Sequence, residues 1–224
     1  MEDNSAVKTE KITVQGIVDR IVELIRAGVY LPGTPIREVE LCKLFCVSRT
    51  PVREALRLLQ NSGVVEYIPR CGVQVADMDH RTLLNITETR SVLEVLSARN
   101  AAKRITQEEL EELWDINEQF YAEPDPQKVA QWDQLLHIRI AEISDNPCIV
   151  QFLQNLLLRQ VIVSVVFEWI PQRRHCSYLE HKAILQALEM HDSELAAKQA
   201  DVHFHMSQIS LQNKLEKYLK NRTE

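Results

Sequence analysis

The sequence predicts a mainly α-helical chain in two parts: a small unit of three helices closed by a β-hairpin, followed by an all-α antiparallel bundle. Three observations predict this. Glycine and proline are scarce, at 5 and 8 of 224 residues, while 45% of the chain is hydrophobic and 26% charged, the balance of a helical globular protein. Apolar residues recur at three- and four-residue intervals along most of the chain, as one buried helix face requires. That period gives way once to short β-branched runs, near residues 64–77. The length accommodates a domain of under about 80 residues and another of about 150, each enclosing its own core. The segment "DMDH", 77–80, is the boundary, giving domains 1–78 and 79–224.

In the first part, "ITVQGIVDRIVELIRAGVY" places apolar residues at 14, 17, 18, 21, 24 and 25, and "YLPGTPI" ends that helix with its breakers. "REVELCKLF" is a short helix offering Val39, Leu41, Leu44 and Phe45 to a core. In "CVSRTPVREALRLLQNSG", Ser48 or Thr50 can cap, Pro51 is tolerated where first-turn amides lack helical partners, and Gly63 ends the helix. Val52, Ala55, Leu56 and Leu59 form one face, and Arg49, Arg53 and Arg57 another. "VVEYI" and "VQVAD" then flank "PRCG", a hairpin in which Gly72 supplies turn freedom. This is the element order of a winged helix-turn-helix.

The second part reads as six helices, roughly 80–104, 106–121, 125–143, 147–168, 175–190 and 193–219, broken at "AEPDP", "SDNP" and "WIPQRR". The longest apolar run, "VIVSVVF" at 161–167, is far short of a membrane span, and the acidic start "MEDNSAVKTEK" is unlike a signal peptide. The chain is therefore expected in the cytosol, with no membrane partner. Cys42, Cys46, Cys71, Cys148 and Cys176 are odd in number and form no CxxC pair, so reduced thiols are expected.

Net charge is −6, but the deficit is local: residues 1–78 carry ten basic and ten acidic residues, whereas 79–224 carry sixteen and twenty-two. Within 43–57, Lys43, Arg49, Arg53 and Arg57 face only Glu54. A helix-turn-helix sets its second helix in the major groove, where arginines four apart near its start reach guanine edges or phosphates. Arg49 and Arg53 have that spacing. The helix alone reads equally well as a solvated basic face; the hairpin with Arg70 at its tip favours DNA, because a wing adds groove or phosphate contacts. The stretch "VSRTPVREALRLLQNSGVVEYIPRCGVQV", 47–75, closely resembles the N-terminal domain of GntR-family bacterial transcription regulators, and "PIREVELCKLF" before it fits as well. The resemblance implies Arg37, Arg49 and Arg53 as main DNA contacts, Ser48 and Thr50 as phosphate-side helpers, and Arg70 with Gly72 as the wing tip. One departure is Cys46, where the family usually has glycine; a positive φ there would cost cysteine about 1 kcal/mol.

In the bundle, Asp133 and His137 stand four apart on one predicted helix and project from the same face. That spacing suits a shared ion, and equally an Asp–His hydrogen bond. Further support lies in "LEHKAILQALEMHDSELAAKQADVHFHMSQ", 179–208, which reads as two helices joined near His191 and Asp192. His181 and His203 are equidistant from that turn, each about 16 Å along its helix, so they lie level. Three imidazoles and one carboxylate suit a divalent transition ion, with positions left for water or a ligand. His205 should point elsewhere.

These segments resemble the ligand-binding domain of the FadR subgroup of GntR regulators, the FCD domain, across roughly 80–219. Its metal-binding members carry Asp-x-x-x-His, then His, then His, which map onto Asp133, His137, His181 and His203. The resemblance implies a bound metal, zinc first and otherwise nickel, manganese or iron, holding a small carboxylate effector. Arg90 reads either as a carboxylate partner or as half of an intrahelical pair with Glu94, and Asn146 reads as a cap before Pro147. The expected function is a ligand-responsive regulator, a repressor by the commoner family role, binding a pseudo-palindromic DNA operator as a homodimer. Two alternatives are a redox sensor using Cys42 and Cys46, and a metal-dependent hydrolase; no acid or base is motif-placed beside the ligands for the latter, and Glu180 falls on a different helix face from His181.

Overall fold

The computed structural model describes residues 12–77, 79–166 and 171–223, and the chain divides into two compact units, Met1–Ala76 and Asp77–Glu224. In the first, α1 (Val14–Arg26) starts at Thr13, whose hydroxyl accepts from the Gly16 amide, and it buries Ile17, Val18, Ile21, Val22 and Ile25. That stripe and α2 (Glu38–Phe45) both pack on α3 (Arg49–Asn61). The buried face of α3 is Val52, Ala55, Leu56 and Leu59, as its periodicity dictates. β1 (Val65–Ile68) pairs antiparallel with β2 (Gly72–Val75), from Val65 opposite Val75 to Ile68 opposite Gly72.

Two local expectations are corrected here. Of the four apolar residues of α2, only Leu41 and Phe45 are buried; Val39 and Leu44 are 48% and 55% exposed. An eight-residue helix meets its neighbours along one stripe, and only positions four apart stay on it. Ser48 does occupy the N-cap position of α3, yet its side chain makes no cap hydrogen bond, and Thr50 lies inside the first turn. Cys46 closes α2 in the left-handed region at φ 54°, ψ 43°. The hairpin turn holds two such residues, Arg70 at φ 71° and Gly72 at φ 90°.

The second unit contains α4 (His80–Ala101), α5 (Gln107–Ala122), α6 (Pro126–Ile143), α7 (Pro147–Val166), α8 (Pro171–Glu189) and α9 (Ser193–Thr223). Their starts are set by local chemistry. Asp79 caps α4, Thr106 and Glu109 form a reciprocal capping box on α5, Asn146 accepts from the Cys148 and Ile149 amides, and Asp192 accepts from those of Glu194 and Leu195. α8 begins at Pro171 rather than near 175, because proline suits a first helical position; the rest of that expected break, 167–170, lies outside the described residues. Arg173 is thereby helical.

α4 packs on α9, α6 and α7, while α5 packs on α6 and α8, and α8 on α9. Leu113, Leu136, Ile140, Ile184, Leu185 and Leu188 fill the core, and Ala196 and Ala200 of α9 lie within it. Among the described residues no helix is long and apolar enough to cross a membrane. Within this apolar interior sit Arg90, Glu94, Asn117, Asp133, His137, His181 and His203, all buried. Buried polar groups are costly unless partnered, so this cluster marks the site.

Candidate metal centre and nucleic-acid interface

In the first unit, burial of one face of α3 turns Arg49, Arg53 and Arg57 outward, and all three are exposed. Arg53 donates through Nε to Glu38 of α2 at 2.8 Å, which orients its guanidinium while leaving the side chain 63% exposed. Arg37 stands at the N-cap of α2, 3.5 Å from Glu40. Ser48 and Thr50 are exposed at the start of α3, and Arg70 is exposed at the hairpin tip beside Gly72. The unit thus presents a basic helix face, the start of that helix and a basic hairpin tip.

In the second unit, the helical hairpin of α8 and α9 brings His181 and His203 level, with ring centroids 4.6 Å apart. α6 adds His137, whose ring lies 5.3 Å from that of His181 and 5.2 Å from that of His203. One ligating nitrogen from each of the three falls within 4.8 Å of the others. The Asp133 carboxylate joins them: Oδ1 is 3.9 Å from His137 Nε2 and 3.7 Å from His181 Nε2. Two ligands each about 2 Å from one ion can span about 4 Å. All four residues singled out in the sequence therefore come together. His205 points away and is exposed.

The sequence did not reveal what holds the imidazoles. Nδ1 of His137 lies 2.8 Å from Glu94 Oε2, Nδ1 of His203 lies 2.7 Å from Glu180 Oε2, and Nδ1 of His181 lies 3.0 Å from Asn117 Oδ1. Carboxylates and an amide oxygen here accept, so Nδ1 carries the proton and Nε2 is left as a lone pair. Nε2 of His137 and of His181 are buried with no hydrogen-bond partner. Bare, buried imidazole nitrogens facing a carboxylate are the donor set a transition ion takes. Asn117, a polar residue on the buried face of α5, carried a signal; Glu94 read only as an ion-pair partner of Arg90, and Glu180 as a residue on another face.

Electrostatics favour the neutral form at His181 and His203. Burial pushes His181 well below the ordinary histidine value, and His203, His137 and two nearby arginines add to the effect. Burial also lowers His203, against the opposing pull of its bond to Glu180. Burial would raise the Glu94 carboxyl, but His137 and Arg90 beside it hold it at about 2.

Asp133 and His203 also face a cavity of about 180 Å³. Arg90, Arg173, Ser177, Ser207 and Gln160 line it among others. Arg90 makes the intrahelical pair: Nε donates to Glu94 at 2.6 Å, and Nη1 donates to Gln160 at 2.8 Å. Its Nη2 is buried without a partner.

A winged helix-turn-helix with a basic helix face, followed by a helical bundle holding buried histidines beside a cavity, is the architecture of a DNA-binding transcription regulator. The chain matches the gntR family of bacterial regulatory proteins over residues 13–75 and the FCD domain over residues 85–206. It belongs to the GntR family, in the FadR-type branch that carries an FCD domain. It is 29% identical over 184 residues to the Nta operon transcriptional regulator of Aminobacter aminovorans, covering 80% of this chain and 86% of that one. It is 28% identical over 217 residues to the galactonate operon transcriptional repressor of Escherichia coli K12, covering 81% and 90%. Its fold is similar to that of E. coli McbR/YncC, at a TM-score of 0.79 and 20% identity over 90% of this chain and 97% of that one.

Proposed function

We propose that this regulator is a repressor whose bundle binds one divalent transition ion, zinc by preference, together with a small organic acid. The observation that carries the reading is the donor set: three imidazoles fixed by Nδ1 partners, with Asp133 among them, beside a cavity lined by Arg90, one of whose nitrogens is buried without a hydrogen-bond partner. Asp133, His137, His181 and His203 would hold the ion, which would supply a Lewis-acidic contact for a carboxylate. Arg90 Nη2 would take a second oxygen of the same group.

On the DNA side, Arg37, Arg49 and Arg53 contact the operator, Ser48 and Thr50 assist at phosphates, and Arg70 with Gly72 forms the wing tip. The open first turn of α3 favours a phosphate there, since unpaired helix-start amides attract anions. A homodimer presents two such domains to a pseudo-palindromic site in the cytoplasm, and the effector shifts operator affinity by binding two conformations unequally. The name of one relative, the galactonate operon transcriptional repressor, supports that role. Metal analysis of the purified chain tests the reading: about one divalent ion per chain is expected, and His203→Ala should lose it. Equal metal content in both proteins removes His203 from the site.

A further inference from the structure

We propose that Glu94 and Glu180 are positioning residues, each the middle of an arginine–glutamate–histidine relay that sets the tautomer of one metal-ligand histidine from the cavity wall. The inference rests on the metal reading above and extends it to residues outside the ligand set. In one relay, Arg90 of α4 holds Glu94 Oε1 at 2.6 Å while Glu94 Oε2 receives His137 of α6 at 2.8 Å. In the other, Arg173 of α8 grips both oxygens of Glu180 at 2.7 Å, and Oε2 receives His203 of α9 at 2.7 Å. Ligands from two different helices are thus braced by the same three-residue chemistry, and both arginines line the cavity.

The arginine matters because a lone glutamate has other options. Without a clamp, a carboxylate beside an electropositive centre could rotate toward it; Arg173 fixes the plane of Glu180 through two bonds, Arg90 holds one oxygen of Glu94 through Nε, and each leaves a lone pair for Nδ1–H. Fixing the proton on Nδ1 commits Nε2 to the shared point and raises its basicity. The third ligand, His181, lacks this charged support, because Asn117 offers a neutral oxygen at 3.0 Å.

The test uses full-length, metal-free protein carrying Glu180→Ala or Glu94→Ala, which remove the acceptor altogether. Imidazole nitrogen NMR reads the tautomers before any metal is added, and competition with a chromophoric chelator then gives the zinc Kd. In the wild type, His137, His181 and His203 should all carry the proton on Nδ1. In Glu180→Ala, His203 should lose that bias and zinc affinity should fall by about 10–100-fold, with Glu94→Ala acting likewise on His137. Should Glu94→Ala fail to fold because it strands Arg90, the Glu180 side chain, 15% exposed, carries the test. A tautomer or a zinc Kd left at its wild-type value in Glu180→Ala overturns the proposal. Wild-type protein without zinc affinity would instead overturn the metal reading, while the metal-free tautomers would still judge the relays.

Discussion

Loading the metal-free protein with zinc should raise the melting temperature of the bundle by about 8–16 °C, and the structure sets that scale. The apo fold keeps two buried imidazole nitrogens without partners, each a cost of about 1–3 kcal/mol that coordination removes. Binding to the folded state alone stabilises it by about 4.1 kcal/mol when free zinc is 1,000 times Kd. A unit of about 150 residues converts each kcal/mol into about 2–4 °C, which gives the range. The assay is selective, because all three tryptophans lie beyond residue 78 and Trp114 and Trp132 pack against the bundle core. Intrinsic tryptophan fluorescence during heating therefore follows this unit. His203→Ala should show little or none of the shift. A wild-type protein indifferent to zinc, or a variant that gains as much as the wild type, would refute the reasoning.

Arg53→Ala should weaken operator binding and lower the slope of log affinity against log salt by about 0.9, one released counterion; fluorescence anisotropy at several salt concentrations measures both, and an unchanged slope would mean Arg53 meets no phosphate. Cys46→Gly relieves a left-handed backbone at about 1–2 kcal/mol but adds about 0.5–1 kcal/mol of backbone entropy, so a net gain of up to about 1.5 kcal/mol should appear in the calorimetric melt of the first unit, and a loss would contradict the reading. Metal-free bundle stability should be fully present above about pH 6.5 and decline as pH falls. The unfolded chain takes up protons there, whereas buried His181 and His203, both depressed, resist them; melts from pH 8 to 5 that superimpose would contradict this.

Much of the molecule was legible because it is encoded locally. Among the described residues, apolar spacing in the first unit and the proline-containing breaks in the second located the helices, Gly63 and Gly72 marked turns, and Asn146 capped where a side-chain oxygen before proline should. Failures arose where neighbours decide. Val39 and Leu44 are apolar yet exposed because α2 is too short to bury two faces. The start of α8 moved because a proline that can break a helix can also begin one.

By itself the sequence determined the two-part helical architecture, the basic face of α3, and the level placement of His181 and His203, which follows from counting along two helices from one turn; it left Asp133 and His137 open between a shared ion and a hydrogen bond. Only the tertiary structure decided how those residues are held. Glu94, Asn117 and Glu180 reach the imidazoles from α4, α5 and α8, and the pairing of each with its histidine depends on how separate helices pack rather than on any period along one of them. The same packing decided the surroundings of Arg90: Nε pairs with Glu94 within α4, Nη1 reaches Gln160 of α7, and Nη2 is buried without a hydrogen-bond partner.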